Sequence, residues 1–147
     1  SVGAAVSART DSRHRVLLED IQSYFQGHPV AWRTPLDFCN ATAFQRRVWQ
    51  AIRTIPFGEV RSYAWLAEAV DHPAAARAVA NACGANPMPI LTPCHRIVAS
   101  GGGLGGFSAG IAWKKKLLKM ERDSVHHVFE PLRMDSEMRG IWSQEGR

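Results

Sequence analysis

Apolar residues recur at helical spacing in the first part of the chain and predict two helices. The first helix follows an irregular start over residues 1–13, and its apolar positions are Val16, Leu17, Ile21, Tyr24 and Phe25. Gly27 and Pro29 mark its end, and Trp32 to Cys39 is predicted to be an extended linker broken by Pro35.

The second helix begins with a capping-box pattern, because Thr42 lies three residues before Gln45. Its predicted buried stripe consists of Phe44, Val48, Ile52 and Ile55. Pro56 ends the helix, and Phe57-Gly58-Glu59-Val60 is predicted to be a turn.

Two short helices follow in the middle of the chain. Ser62 is a suitable cap for a helix from Tyr63 to Val70. Pro73 suits the start of a second helix, which is predicted from Ala74 to about Cys83. The link between them, residues 71–73, is only three residues long. This arrangement predicts a helix-turn-helix.

A last helix is predicted from Ile111 to Met120, with Trp113, Leu117 and Leu118 facing inward. Residues 123–147 show no clear period and are predicted to form a loosely packed tail. The pattern as a whole therefore predicts a mainly α fold with few short strands.

Composition narrows the possible functions. A chain of 147 residues suits one domain with a modest second lobe, and its net charge of +5 favours an acidic partner such as nucleic acid. No apolar run is long enough for a membrane helix, and no secretory signal opens the sequence. Three cysteines without a C-x-x-C pair argue against a disulfide framework and against a four-ligand zinc site. We therefore expect a reducing compartment, the cytoplasm or, in a eukaryote, the nucleus.

The segment with the clearest chemistry is Pro93-Cys94-His95-Arg96, which follows Pro87 and Pro89. Three prolines within seven positions restrict the backbone and fix the direction of the next side chain, which is a thiol. His95 and Arg96 are expected to favour the thiolate. His95 is the natural base, but in a regular strand it would point away from Cys94, so it needs a backbone turn or a bridging water.

Several further motifs extend this segment into a family resemblance. Asn86-Pro87 and the run from Ile90 to Val98 resemble the active-site signature of O6-alkylguanine-DNA alkyltransferases. Matching motifs stand in the same order around them: Phe57-Gly58-Glu59-Val60, Ser62-Tyr63, residues 74–79, Gly105-Gly106-Phe107-Ser108, Gly110 and residues 114–121. The resemblance covers about residues 42–122 and is specific, because several motifs agree in order and spacing.

The resemblance implies single-turnover repair of double-stranded DNA, in which a methyl or other alkyl group passes from O6 of guanine to Cys94. His95 would act as a base through a water molecule, and Glu121 would orient it. Tyr63 would donate a proton to the guanine ring, and Asn86 would brace the turn that positions the cysteine. Without the resemblance, Glu121 would be expected to pair with Lys119 or Arg122. No cofactor, metal or membrane is implied, and a monomer is expected.

The resemblance also assigns the DNA contacts. Arg77, the only long side chain among Ala74-Ala75-Ala76-Arg77-Ala78, would enter the base stack from the minor groove and replace the flipped nucleotide. On an exposed helix an arginine is otherwise an ordinary solvated charge. The positions matched to phosphate contacts are Gln45, Ala64, His72 and Ser100.

The glycine-rich loop is expected to approach the flipped base. Ser108 would supply a polar contact, and Phe107 would form an apolar wall for the alkyl group. Phe107 departs from the family, which usually carries a tyrosine at this position, so a hydroxyl contact is lost.

The fold that the resemblance implies is a helix-turn-helix, winged-helix-like catalytic domain over residues 42–122. Residues 1–41 would be a flexible start, helix and linker, the shortened remnant of the family's amino-terminal α/β domain, and residues 123–147 a tail. Two alternatives stay open. One is a protein that flips and marks alkylguanine without repairing it, but such relatives lack the cysteine; the other is a Cys/His hydrolase, which leaves the helix-turn-helix unexplained.

Overall fold

The computed structural model describes residues 2–101, 103–107 and 109–128, with side chains from residue 12 to residue 125. This part of the chain is mainly helical with two short strands, as predicted. In chain order the elements are α1 (Val2–Phe25), α2 (Ala43–Arg53), β1 (Arg61–Ser62), α3 (Tyr63–Ala69), α4 (Ala76–Gly84), a one-turn 3₁₀ helix (Cys94–Arg96), β2 (Ile97–Val98) and α5 (Ile111–Val128).

The chain divides into two compact units between Cys39 and Asn40, two residues before the expected boundary at 41/42. In the first unit, α1 begins at Val2, so the expectation of an irregular start over residues 1–13 is wrong. Alanines at three positions in this stretch favour the helix. The segment after α1 is held by Arg33, whose guanidinium forms an ion pair of 2.7 Å with the buried Asp20.

The second unit begins with α2 and its predicted capping box. The Thr42 hydroxyl accepts from the backbone N–H of Gln45, and the Gln45 side chain accepts from the backbone N–H of Thr42. The buried residues of this helix are Val48, Trp49 and Ile52, whereas Phe44 is only partly buried. The turn after Pro56 is also confirmed: Glu59 N–H donates to the Pro56 carbonyl over 3.1 Å, and Gly58 has a φ of +82°.

The predicted helix-turn-helix is formed by α3 and α4. The Ser62 hydroxyl caps α3 by accepting from Trp65 N–H at 3.0 Å. The link is longer than expected, because α4 begins at Ala76 and not at Ala74. Asp71 adopts a φ of +61°, and Ala75 N–H donates to the His72 carbonyl, so the chain completes a turn before the helix starts.

Helix α5 has a different inward face from the predicted one. Trp113 is 50% exposed, so the expectation that it faces inward is wrong, whereas Leu117 and Leu118 are buried as predicted. Lys114 is fully buried, and with Glu121 it completes an inward stripe at the spacing of a helix face. The helix also continues to Val128, past the expected tail boundary at 122/123; residues 129–147 lie outside the described part.

A two-stranded parallel sheet joins the helix-turn-helix to the segment after Cys94. β1 pairs with β2, with Arg61 opposite Ile97 and Ser62 opposite Val98. Tyr63 follows β1 directly, while the 3₁₀ helix directly precedes β2. The pairing therefore brings the start of α3 and the cysteine turn to the same small sheet.

Candidate active site

Cys94 lies in the first position of the 3₁₀ helix and not in a strand. Its own N–H donates to the Thr92 carbonyl at 2.8 Å, and Arg96 N–H donates to the Pro93 carbonyl at 3.0 Å. This turn removes the strand alternation that would send Cys94 and His95 to opposite faces. The backbone therefore turns at Cys94, which is one of the two conditions under which Cys94 and His95 can act together.

The side chain of Asn86, which comes directly before Pro87, holds this turn in place by hydrogen bonds. Its Nδ2 atom donates to Cys94 Sγ at 3.2 Å and to the Thr92 carbonyl at 2.9 Å. Its Oδ1 atom accepts from Met88 N–H at 3.0 Å. Since the side chain is buried, these three bonds fix its position, and one of them reaches the sulfur itself.

Glu121 connects α5 to the residues that follow the cysteine. Its Oε2 atom forms a short hydrogen bond with His95 Nε2, and its Oε1 atom accepts from Arg96 Nε at 2.6 Å and from Gly58 N–H at 3.2 Å. The alternative expectation, a surface pair with Lys119 or Arg122, is wrong. Both His95 and Glu121 are essentially inaccessible to solvent.

This contact assigns the tautomer of His95. Burial lowers the pKa of His95, although the bond to Glu121 opposes the effect. The pKa of Glu121 is also lowered: burial alone would raise it, but the hydrogen bond from His95 and the charges of His95 and Arg96 outweigh burial. A neutral imidazole therefore donates its Nε2 proton to a carboxylate, and its Nδ1 atom carries the lone pair that can accept a proton.

The Cys94 thiol keeps its proton at neutral pH. Burial raises its pKa, while the hydrogen bond from Asn86 and the charge of Lys114 oppose burial without cancelling it. The expectation that His95 and Arg96 favour the thiolate holds only for the backbone N–H of His95, which lowers the pKa of Cys94. The His95 side chain is neutral, and Arg96 is engaged by Glu121 and by the Ile55 carbonyl at 2.7 Å. A nucleophile in this site therefore has to be generated by a base.

The positive charge of Lys114 opposes the effect of burial on the pKa of Cys94. Its Nζ atom donates to the Ile97 carbonyl at 2.6 Å and to the Gly106 carbonyl at 3.1 Å, so it joins β2 to the glycine-rich loop. Burial lowers its pKa to about 8, against the opposing effects of Cys94 and Cys83. At neutral pH the side chain is thus charged.

The thiol lines a cavity of about 190 Å³. This volume is below the roughly 300–1,000 Å³ of pockets for drug-sized ligands, so the site suits a small fragment. Phe107 is part of the cavity wall, and Ser108 lies outside the described residues. The lining residues are Tyr63, Ala80, Cys83, Gly84, Cys94, Gly106 and Phe107.

Tyr63 faces the thiol from the start of α3. Burial raises the pKa of its phenol to about 12, and the two neighbouring sulfurs add to the effect. The phenol therefore keeps its proton and can donate it within the cavity. The loop packs tightly against this ring: Gly105 has a φ of +71°, and a Cβ atom there would lie 2.9 Å from Tyr63 Cε2. Glycine is required at this position.

The residues assigned to DNA lie at the start of α2, in the helix-turn-helix and in the loop after β2. The exposed Arg77 guanidinium makes no ion pair or hydrogen bond within the described residues. Ala64, His72 and Ser100 are exposed as well, and the His72 ring lies 5.9 Å from the Phe44 ring. Gln45 is partly buried, and its Oε1 atom belongs to the capping box.

Sequence reasoning missed several residues of the site, namely Lys114, Arg96 as a partner of Glu121, Ala80 and Cys83. A signal existed for Lys114, which shares the i, i+3, i+4, i+7 stripe with Leu117, Leu118 and Glu121. For Ala80 and Cys83 the only sequence signal is that they lie three residues apart on a helix of small residues. No pattern could have shown that this helix borders a cavity.

Within the described ranges, no three histidine, cysteine or acidic side chains are grouped so that they could hold a metal ion. None of the described helices combines the length and apolar character that crossing a membrane requires.

The sequence model of the 6-O-methylguanine DNA methyltransferase DNA-binding domain matches residues 43–123, more than half of the chain. A methylated-DNA–protein-cysteine methyltransferase of Mycobacterium leprae (strain TN) is 44% identical over 108 residues, which are 74% of this chain and 65% of that protein. The bifunctional transcriptional activator/DNA repair enzyme Ada of Escherichia coli (strain K12) is 51% identical over 121 residues, 82% of this chain and 34% of that protein. The chain thus spans less than two thirds of the length of these relatives.

Solved structures give the same picture. The crystal structure of Mycobacterium tuberculosis OGT in complex with DNA is similar with a TM-score of 0.72 and 41% identity, covering 75% of this chain and 68% of that one. A crystal structure of Mycobacterium tuberculosis O6-methylguanine methyltransferase follows with a TM-score of 0.70 and 39% identity, covering 81% and 68%.

Proposed function

Because this chain belongs to the 6-O-methylguanine DNA methyltransferase family, we propose that it repairs DNA by moving the alkyl group of O6-alkylguanine onto Cys94. The observation that carries the proposal is the position of Cys94. Its sulfur lines a small cavity, accepts a hydrogen bond from Asn86, and is followed by an imidazole bound to a carboxylate.

The transfer forms a bond between Cys94 Sγ and the alkyl carbon and breaks the bond between that carbon and O6 of guanine. His95 Nδ1 takes the thiol proton through a water molecule, because Nε2 is committed to Glu121. The electron pair of the broken bond passes to the guanine ring, and Tyr63 donates a proton there. The His95 imidazolium returns its proton through solvent to Tyr63, so the thiol proton ends on guanine.

The surrounding residues lower the cost of the charges that develop during this step. Glu121 stabilises the imidazolium, as the carboxylate of a catalytic triad does. The Asn86 amide and the Lys114 ammonium stabilise negative charge on the sulfur, and both interactions are already in place before the substrate arrives. Each of the three thus favours the transition state over the resting thiol.

The product is a thioether. Its C–S bond has no leaving group that water could displace under mild conditions, so each protein molecule acts once and no cofactor takes part. One chain supplies every side chain used in the step, and we therefore propose that the protein acts as a monomer.

Double-stranded DNA containing the lesion is the proposed substrate. O6 of guanine is inaccessible to a buried thiol inside a duplex, so the nucleotide must be flipped. Arg77 would occupy the vacated space from the minor groove, since it projects from α4 without a partner in the described part of the chain. Gln45, Ala64, His72 and Ser100 are the proposed phosphate contacts.

The proposal is tested by intact mass spectrometry after incubation with a duplex that contains one O6-methylguanine. We expect each chain to gain the mass of one CH₂ unit, and the Cys94→Ala variant to gain none. Cys39→Ala is the matched control, because Cys39 is an exposed cysteine outside the cavity. Tight lesion binding without an adduct, or repeated release of guanine and methanol, would contradict the proposal.

A further inference from the structure

Thr92, two residues before Cys94, carries a buried hydroxyl group to which the protein offers no partner. The residue is inaccessible to solvent, and its Oγ1 atom forms no hydrogen bond within the described residues. Buried polar groups in folded proteins are nearly always bonded, either to the protein or to an ordered water molecule. The Thr92 hydroxyl can therefore bind an internal water molecule.

The backbone of Thr92 is fully hydrogen-bonded, and this holds the residue next to the nucleophile. Its N–H donates to the Met88 carbonyl at 2.9 Å, and its carbonyl accepts from Cys94 N–H at 2.8 Å. The same carbonyl accepts from Asn86 Nδ2, the nitrogen atom that also donates to Cys94 Sγ. Because a β-branched side chain has little rotational freedom at χ1, the hydroxyl is held in place as well.

The proposed transfer step requires a buried water molecule at this same turn. His95 follows Cys94 in the one-turn 3₁₀ helix and is inaccessible to solvent, and its Nδ1 atom takes the thiol proton through water. An internal water molecule makes about three hydrogen bonds to buried polar groups. The thiol of Cys94 and Nδ1 of His95 supply two of them, so a third group is needed to fix the orientation of the water.

We propose that Thr92 is a positioning residue for proton transfer, because its hydroxyl is the third ligand of this water. The inference rests on the proposed function, which supplies the need for the water. As the bond between Cys94 Sγ and its hydrogen breaks, the proton passes to the water oxygen. A proton of the water passes to His95 Nδ1, and the water is regenerated. The Thr92 hydroxyl accepts the other O–H of the water and leaves the first directed at the imidazole.

A role of Thr92 in packing alone would rank its substitutions differently. Valine keeps the shape of threonine without the hydroxyl, serine keeps the hydroxyl without the methyl group, and alanine has neither. If only packing mattered, Thr92→Val would behave like the native protein, whereas Thr92→Ser and Thr92→Ala would be impaired. If the hydroxyl binds the water, Thr92→Ser is the variant that behaves like the native protein.

The test measures single-turnover rates of methyl transfer from a duplex that contains one O6-methylguanine. Proton transfer by a positioned group contributes about 10²–10⁴-fold to a rate. We expect Thr92→Val and Thr92→Ala to slow transfer at least about tenfold, and Thr92→Ser to keep most of the native rate. Urea unfolding of each variant identifies any loss of rate that comes from unfolded protein.

Thr54→Val is the matched control, because Thr54 is exposed at the end of α2 and its hydroxyl donates to the Ala51 carbonyl of the same helix. Its rate of methyl transfer should equal that of the native protein. A loss in this control as large as that in Thr92→Val would show that removing any threonine hydroxyl slows the reaction, and it would overturn the inference.

A crystal structure of the native protein gives a second readout that does not depend on the folding of a variant. It should contain a water molecule within hydrogen-bonding distance of Thr92 Oγ1, Cys94 Sγ and His95 Nδ1. The inference is overturned by a crystal structure without a water molecule in contact with all three atoms. It is also overturned by a native rate in folded Thr92→Val, or by equal losses in Thr92→Val and Thr92→Ser. A native protein that transfers no methyl group contradicts the proposed function itself.

Discussion

The side-chain amide of Asn86 donates a hydrogen bond to the Sγ atom of Cys94, with 3.2 Å between the two atoms. The same amide binds the Thr92 carbonyl, and its oxygen binds Met88 N–H. Asn86 thus contacts the Cys94 sulfur directly and also holds the turn that carries it.

Asn86→Ala should slow alkyl transfer and destabilise the protein. Each buried polar group left without its partner costs about 1–3 kcal/mol. The free energy of unfolding, measured by urea denaturation, should therefore fall by several kcal/mol. Transfer should fall by more than the unfolded fraction explains, because the thiolate loses a donor. Asn81→Ala, on the exposed side of α4, is the control and should change neither quantity.

Glu121→Gln should destabilise the protein in a pH-dependent manner. The substitution leaves Arg96 as a buried charge without its carboxylate, and breaking such a pair costs about 3 kcal/mol or more. The folded-state pKa of Glu121 is lowered, so its stabilising effect is complete above the unfolded value near 4.5 and is lost as the pH falls through the folded value. The difference in unfolding free energy between the two proteins should therefore narrow in acid. A difference in unfolding free energy that stays constant from pH 7 to pH 3 would contradict this account. Asp123→Asn, which changes an exposed carboxylate, is the control, and its unfolding free energy should equal that of the native protein over this range.

Lys114→Met should raise the pKa of Cys94 further, because it removes the cation that opposes the effect of burial. The pH dependence of Cys94 modification by iodoacetamide measures this change, and its midpoint should move to higher pH. Lys115→Met, which removes an exposed lysine next to it, should leave the midpoint in place. Equal midpoints in all three proteins would exclude Lys114 as the electrostatic partner of the thiol.

Gly105→Ala should impair transfer by displacing the phenol. The new methyl group would lie 2.9 Å from the Tyr63 ring, and alanine is strained at a φ of +71°. Gly103→Ala is the matched control in the same loop, where the nearest atom would be 3.9 Å away. We expect the rate at position 105 to fall at least about tenfold, a change of 1.4 kcal/mol in the barrier, and the rate at position 103 to stay close to that of the native protein.

Arg77→Ala should slow repair in duplex DNA more than in single-stranded DNA. Flipping a base out of a duplex costs a few kcal/mol, which the proposed insertion of Arg77 would offset, whereas a single strand requires no such compensation. Single-turnover rates on the two substrates measure the difference, with exposed Arg53→Ala as the control for lost charge. An equal fractional loss of rate on the two substrates would contradict the prediction and indicate that Arg77 binds phosphate instead.

Much of the fold could be predicted from local patterns. Thr42 with Gln45, Ser62 before α3 and the turn after Pro56 are each determined by neighbours in sequence, and each is confirmed. The prediction that α4 starts at Ala74 is wrong, because the left-handed backbone of Asp71 adds a turn that no local sequence signal indicates.

The electrostatics of the site could not be predicted from the sequence. A lysine on an amphipathic helix is expected to face solvent, but Lys114 is buried because two carbonyls from distant segments accept from it. Arg96 beside Cys94 suggested a lowered thiol pKa, yet its guanidinium is bound to Glu121, which is 25 residues away. Such pairings arise from tertiary packing, as does the burial that raises the pKa of Cys94.

The most direct test of the central claim follows the alkyl carbon itself. A duplex is prepared with a ¹³C-labelled methyl group on O6 of one guanine and is mixed with the protein in equal amounts. We predict that the ¹³C NMR signal moves from the position of an O-methyl group to that of an S-methyl group, one per chain, and that peptide mapping finds it on Cys94. A signal that stays on oxygen, or that appears as free methanol, would contradict the account.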